Sequence, residues 1–176
     1  MAYIHQDEIH VTKNLNVDEN ATITGSGYRE VTMFYNTPAL VGANWVASTS
    51  GAYTLTLNNS AQSINFPLSG LKEGDIITKF RVLGGVQAIS GSVTTLDACL
   101  WKNTKGTGAD ATATSLGAIT QVSVVTDTSV DSEKDVTDVT VADDYQYFVG
   151  IKGTTANTAE CAAMVIGVEI DMKRLL

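Results

Sequence analysis

The stretch "ECAAMVIGVEIDMK" (160–173) places Ala162, Met164, Ile166, Val168, Ile170 and Met172 at every second position. A period of two sets those side chains on one face of an extended chain, whereas a helix would scatter them around its axis. The same alternation recurs on either side. "YQYFVGIKG" (145–153) aligns Tyr145, Tyr147, Val149 and Ile151, and "SVTTLDACLWK" (92–102) aligns Leu96, Ala98 and Leu100. "IITKFRVL" (76–83) aligns Ile76, Phe80 and Val82, and "AYTLTLN" (52–58) alternates Tyr53, Leu55 and Leu57 with threonines. "QSINFPL" (62–68) puts Ile64, Phe66 and Leu68 inward, which turns Pro67 outward. Proline cannot donate to a strand ladder, so this strand is expected at a sheet edge.

"EVTMFYN" (30–36), "ANWVA" (43–47), "AITQVSVVT" (118–126) and "VTDVTVA" (136–142) complete the strand-like runs. No stretch of ten residues keeps a 3.6-residue apolar period. Short strands divided by turns such as "SGLKEGD" (69–75) predict an all-β fold, a sandwich or barrel. About nine strands with several long connections favour a jelly-roll-like β-sandwich over an up-and-down barrel. "NTKGTGADATATSLG" (103–117) has no periodicity and reads as a surface loop, and "DTSVDSEKD" (127–135) as an acidic, solvated connector. The sandwich is assigned to residues 30–176, with the boundary at the glycines of "GSGYRE" (25–30).

Composition agrees with a folded β protein. The chain has 176 residues, 44% hydrophobic and 17% charged, enough to bury a core without metal or disulfide staples. Lys and Arg number 11 against 19 Asp and Glu, a formal charge of −8. Such a surface repels phosphate backbones and anionic lipid, and the one basic cluster is Lys173-Arg174. Neither nucleic acid nor membrane is an expected partner, since no window approaches the roughly 20 apolar residues of a spanning helix. "MAYIHQDEIH" lacks the basic and apolar regions of a secretory signal. Cys99 and Cys161 are therefore expected as two thiols; a disulfide would require their strands to be neighbours.

The N-terminal stretch "IHVTKNLNVDENATITGS" (9–26) differs from the body, dividing into three hexads that each carry apolar residues at positions one and three. If extended, Ile9, Val11, Leu15, Val17, Ala21 and Ile23 face one way, along a ribbon of roughly 60 Å. Hexad repeats build parallel β-helices, but three hexads make one coil with nothing to stack on. Other copies of the chain can supply the missing neighbours. Three chains about one axis give each stripe two partners and cover the strand edges, so residues 1–26 are expected to be an anchoring and homotrimerisation arm. A dimer, docking on another protein, or a plain edge strand or hairpin on the domain would also bury the stripe.

Within this arm, "NLNVDENATITG" (14–25) resembles the collar of tailed-bacteriophage fibre and spike proteins, roughly "N-L-x-V-x-G-N-A-T-I-T-G". Asn14, Leu15, Val17, Asn20, Ala21, Thr22, Ile23, Thr24 and Gly25 match, and Glu19 stands where that family commonly has Gly. The resemblance implies an intertwined trimeric stem that links a virion-attachment end to a globular β-domain. It implies a protein of the virion's outer surface, made in the host cytoplasm, with the major capsid protein or another virion protein as partner. The body is similar in texture to phage jelly-roll decoration and fibre-head domains.

The residues offer little chemistry to set against that reading. His5 and His10 are the only histidines, and both lie in the arm, away from any Ser or Cys nucleophile of the body. The acidic set Asp127, Asp131, Glu133, Asp135, Asp138, Asp143 and Asp144 lacks the order of an EF-hand, and a solvated run is favoured over calcium. "GTGAD" (106–110) has no Gly-Lys-Ser/Thr. Trp101, Tyr145, Tyr147 and Phe148 are candidates for a sugar-stacking platform, although aromatics at strand parity more often enter a core. The expectation is a non-enzymatic protein with no catalytic residue, metal or cofactor, foremost a trimeric capsid decoration (cement) protein. The alternatives are a short tail fibre or receptor-binding tip that recognises a host glycan, with loop 103–117 as contact site, and a carbohydrate- or calcium-binding β-sandwich.

Overall fold

A computed structural model describes residues 27–42, 44–48, 51–56, 62–88, 93–105, 112–156 and 161–175. The arm 1–26, with the stripe Ile9, Val11, Leu15, Val17, Ala21 and Ile23, lies outside the described residues, as do His5, His10 and the glycines of 106–110. Twelve strands are described. They are β1 (Tyr28–Tyr35), β2 (Leu40–Val41), β3 (Trp45–Ala47), β4 (Tyr53–Thr56), β5 (Gln62–Pro67) and β6 (Ile76–Gln87), followed by β7 (Thr94–Thr104), β8 (Ala113–Ala118), β9 (Val122–Val124), β10 (Thr128–Thr140), β11 (Tyr145–Thr154) and β12 (Ala162–Leu175).

The strands form two six-stranded antiparallel sheets, so the fold is all-β and a jelly-roll-like sandwich. The first sheet runs β10-β6-β12-β4-β3, with β1 beside β4 on the same edge of β12. The second runs β2-β5-β11-β7-β8, with β9 also on β7. Alternation explains why they stack. Ile64, Phe66, Leu96, Leu100, Val149 and Ile151 of the second sheet share one buried core with Leu55, Ile77, Phe80, Val82, Ile170 and Met172 of the first. Each such side chain contributes about 1.5–3 kcal/mol on leaving water.

Two β-bulges correct the faces expected from a strict period of two. On β12, Val165 stands opposite Gly84 and Gly167 opposite Leu83, so Ile166 is an inserted residue. An extra residue reverses the parity of everything beyond it. Ala163 and Val165 face the core before the bulge, Val168, Ile170 and Met172 after it, and Ile166 is 49% exposed. On β6, Lys79 pairs with Asp171 and Ile77 with Met172, leaving Thr78 over; Ile77 enters the core and Ile76 is only half-buried.

Two expected loops are strands. β7 continues to Thr104 and Ala113–Ala118 forms β8 against it, so 103–117 is not one loop. β8 is exposed or half-buried along its length and has no apolar face to alternate. The supposed connector 127–135 lies mostly in β10, paired with β6. Only Val130 and Val136 of β10 are buried, while Asp131, Glu133 and Asp135 point outward, as suits an edge strand. The expected strand 118–126 is divided between the end of β8 and β9. β5 is not terminal in its sheet, but two-residue β2 covers only Asn65 and Ile64, so Pro67 does stand at an open edge. Cys99 lies on β7 of the second sheet and Cys161 precedes β12 of the first; no disulfide joins them.

The 69–75 turn is fixed by a buried ion pair. Arg174 at the end of β12 donates from Nε to Asp75 Oδ1 (3.0 Å) and from Nη2 to Oδ2 (2.6 Å) and Gly70 O (2.8 Å). The Lys72 amide donates to Asp75 Oδ2 at 2.8 Å, and Tyr35 Oη donates to Ser69 O at 2.8 Å. Burial pushes the Tyr35 phenol up to about 12, with Arg174 opposing the rise and Asp75 adding to it. Because the folded state holds this proton more tightly than the unfolded chain, the contribution is complete below pH ~10 and is lost between about 10 and 12. Urea unfolding is expected to show stability falling by about 2–3 kcal/mol across that window, and Tyr35→Phe to flatten the fall.

Candidate functional site

With the odd positions of β11 in the core, its even positions Gln146, Phe148, Gly150 and Lys152 form the outer face of the second sheet. Register sets their neighbours. Phe148 lies between Pro67 of β5 and Trp101 of β7, Gly150 between Asn65 and Cys99, and Gln146 beside Asn103. A Cβ on Gly150 would stand 3.1 Å from Asn65 Oδ1 and 3.4 Å from Trp101 Nε1, so an amide and an indole close over the bare backbone. Further along β7, Cys99 Sγ lies 3.0 Å from Ser115 Oγ, and Gln121 Nε2 donates to Asp97 Oδ2 at 3.1 Å.

At one end of this face the surface opens into a cleft of about 500 Å³. Its sheet wall carries Asn65, Pro67, Asn103, Gln146 and Phe148; the other walls are the 68–71 and 141–145 segments and Lys105. These walls are tied together. The Leu68 amide donates to Tyr147 O at 2.9 Å, Val141 to Asp75 O at 2.7 Å, and Lys105 to Asp144 O at 2.7 Å. Tyr147 turns its ring inward and uses its hydroxyl as a clasp, accepting from the Ala142 amide at 3.1 Å and donating to Thr140 O at 3.4 Å. Lys102 Nζ stands 4.4 Å from the centre of the Tyr145 ring. Asn103 Oδ1 is buried with no hydrogen-bond partner among the described residues, a state that costs about 1–3 kcal/mol.

The four candidate aromatics therefore separate. Trp101 and Phe148 share the outer face, Tyr145 lines the cleft, and Tyr147 belongs to the core. Of the expected contact loop 103–117, Asn103 and Lys105 do line the cleft. Asn65 and Gln146 carried no signal beyond outward parity in a strand, which any solvated polar residue shares.

The acidic residues do not converge. Arg81 meets Asp131 at 3.4 Å, Glu133 at 2.9 Å and Glu169 at 3.4 Å, while Lys79 meets Glu133 at 3.2 Å and Asp135 at 3.6 Å. Hydrogen bonds from Arg81 and then Lys79 hold the Glu133 carboxyl below its ordinary value. Asp127 accepts from the Ala88 amide at 3.2 Å, and Asp138 faces Lys173 at 3.8 Å. Among the described residues, no three His, Cys, Asp or Glu side chains are grouped to hold a metal ion.

No protein-family description matches this chain. No curated protein matches it either. Solved structures with partial likeness include a family two carbohydrate esterase from Cellvibrio japonicus, at 9% identity and TM-score 0.39 over 84% of this chain. The chain spans 35% of the length of that esterase. The C-terminal CBM6 of a marine laminarinase from Zobellia galactanivorans is 14% identical over 81% of this chain and 98% of its own, at TM-score 0.39. The enzymatically active domain of tailspike protein 4 of bacteriophage CBA120 is 11% identical over 82% of this chain and 19% of its own, at TM-score 0.32. Likenesses this distant carry no functional weight. The sandwich assignment rests on the two sheets, and the site on its own geometry.

Proposed function

We propose that this chain is a non-enzymatic, homotrimeric protein of the outer surface of a tailed-phage particle, whose β-sandwich is a binding head. The observation that carries the binding role is the cleft on the second sheet, where the aromatic side chains of Tyr145, Tyr147 and Phe148, three carboxamides and one charge of each sign meet within tied walls. Rigid elements that present convergent polar groups beside apolar surface suit recognition of a ligand. This favours the short tail-fibre or receptor-binding tip. Capsid decoration, foremost from the sequence, becomes the second reading, supported by the outer face of the first sheet, where Phe34, Val46 and Ile166 are 48%, 65% and 49% exposed and offer apolar surface to a shell.

The trimer rests on the hexad stripe, and light scattering tests it. The full chain is expected at three times its 18.6 kDa mass, and a chain starting at Gly27 at the monomer mass. Two monomers at micromolar concentration would overturn the arm's role. Gold-labelled antibody on intact particles separates the readings: label at the tail supports the tip, label over the head supports decoration, and no label refutes both.

A further inference from the structure

We propose that the cleft between the 68–71 and 141–145 segments binds a neutral saccharide, one sugar face lying on Phe148 and a hydroxyl donating to Asn103 Oδ1. The inference rests on the reading of the sandwich as a binding head and names what that head takes.

The chemistry of the walls selects the class. Asn65, Asn103 and Gln146 are carboxamides, which both donate and accept and so match hydroxyls, which do the same. A purely apolar ligand would leave all three unmatched on desolvation. Lys105 and Asp143 contribute one charge of each sign, and the chain as a whole carries −8, so nothing in the site favours a phosphate, sulfate or sialic carboxylate. A peptide adding itself as a strand needs backbone donors at the adjoining sheet edge, and there β5 presents Pro67, which has none. A pyranose combines a C–H face for Phe148 with hydroxyls for the amides. The Asn103 acceptor, buried and unpartnered among the described residues, is the group a ligand hydroxyl satisfies. A volume of about 500 Å³ accommodates one or two sugar rings.

The test is amide-shift NMR on the full-length chain with methyl glycosides of glucose, galactose, rhamnose and N-acetylglucosamine, and with N-acetylneuraminic acid as the anionic probe. At least one neutral glycoside is expected to shift the Gln146 and Phe148 amides in a saturable way. Asn103→Ala and Phe148→Ala are each expected to weaken that binding about tenfold, equivalent to about 1.4 kcal/mol. Gln146→Ala, on an exposed side chain, is expected to weaken it severalfold and serves if either of the others misfolds. Silence of the cleft amides to every neutral glycoside overturns the proposal, as does stronger binding of N-acetylneuraminic acid, or affinity unchanged in the variants. Saturable shifts elsewhere on the domain overturn this site but leave the binding head standing. A trimer found on particles yet silent to all five probes refutes the ligand class alone.

Discussion

Replacing Arg174 by methionine is expected to lower the unfolding free energy by about 3–5 kcal/mol, because it leaves the Asp75 carboxylate buried without its partner. The Asp75 side chain is 2% exposed and that of Arg174 14%, so solvent cannot take over the missing bonds. Burial is the largest single influence on Asp75 and pushes its carboxyl up. The Arg174 hydrogen bonds, the Lys72 amide and the two nearby positive charges together outweigh it and hold the group below its ordinary value. The pair's contribution is therefore present above the unfolded carboxylate pKa of ~3.9 and is lost as pH falls through the lower, folded value. Arg174→Met weakens that acid limb, because burial is then opposed only by the Lys72 amide and the Lys72 charge. Asp75→Asn with Arg174→Met should recover part of the loss, since no charge is then left buried. Denaturant unfolding of the wild type and the two variants at pH 3 and pH 7 measures both effects; a loss under 1 kcal/mol at pH 7 would show that the pair does not anchor the turn.

This pair shows what a single sequence conceals. Asp75 and Arg174 are 99 residues apart, and each looks like an ordinary surface charge at the edge of an apolar run. The sandwich was legible because Leu96, Leu100, Val149 and Ile151 keep strict parity in strands that are paired on both sides and stacked on a core. β8 and the first part of β10 (128–135) were not, since an edge strand buries little and its outward residues look like a loop. The same limit hid the cleft. Its amides sit at outward positions on three strands, and only the register of β5, β11 and β7 brings Asn65, Phe148, Gln146 and Asn103 together. Trp101 and Phe148 were visible as candidates, but parity had to divide them from Tyr147.

The β12 bulge yields a prediction that separates the observed fold from unbroken alternation. If Ile166 shared a face with Val168 and Ile170, Ile166→Asp would bury a carboxylate at severe cost; at 49% exposure it is expected to change stability by no more than about 0.5 kcal/mol. Gly84→Ala is expected to do the opposite, although it adds one methyl at a half-buried strand position. A Cβ there would overlap the Met164 carbonyl oxygen and stand 3.2 Å from Val165 Cα. Both contacts are backbone, within the β6–β12 pairing that organises the first sheet, so no rotamer change relieves them. The clash can relax only by opening the ladder beside the bulge, which is expected to cost about 1–3 kcal/mol. Gly167 is constrained in the same way, since its Cβ would stand 2.6 Å from Tyr35 O and 2.7 Å from the Phe34 ring. Phe34→Ala would relieve the ring contact and leave the carbonyl contact, so Gly167→Ala should stay destabilising in that background. Thermal unfolding of Ile166→Asp and Gly84→Ala side by side decides the register: a large loss at Ile166 with none at Gly84 would place the parity change elsewhere on β12.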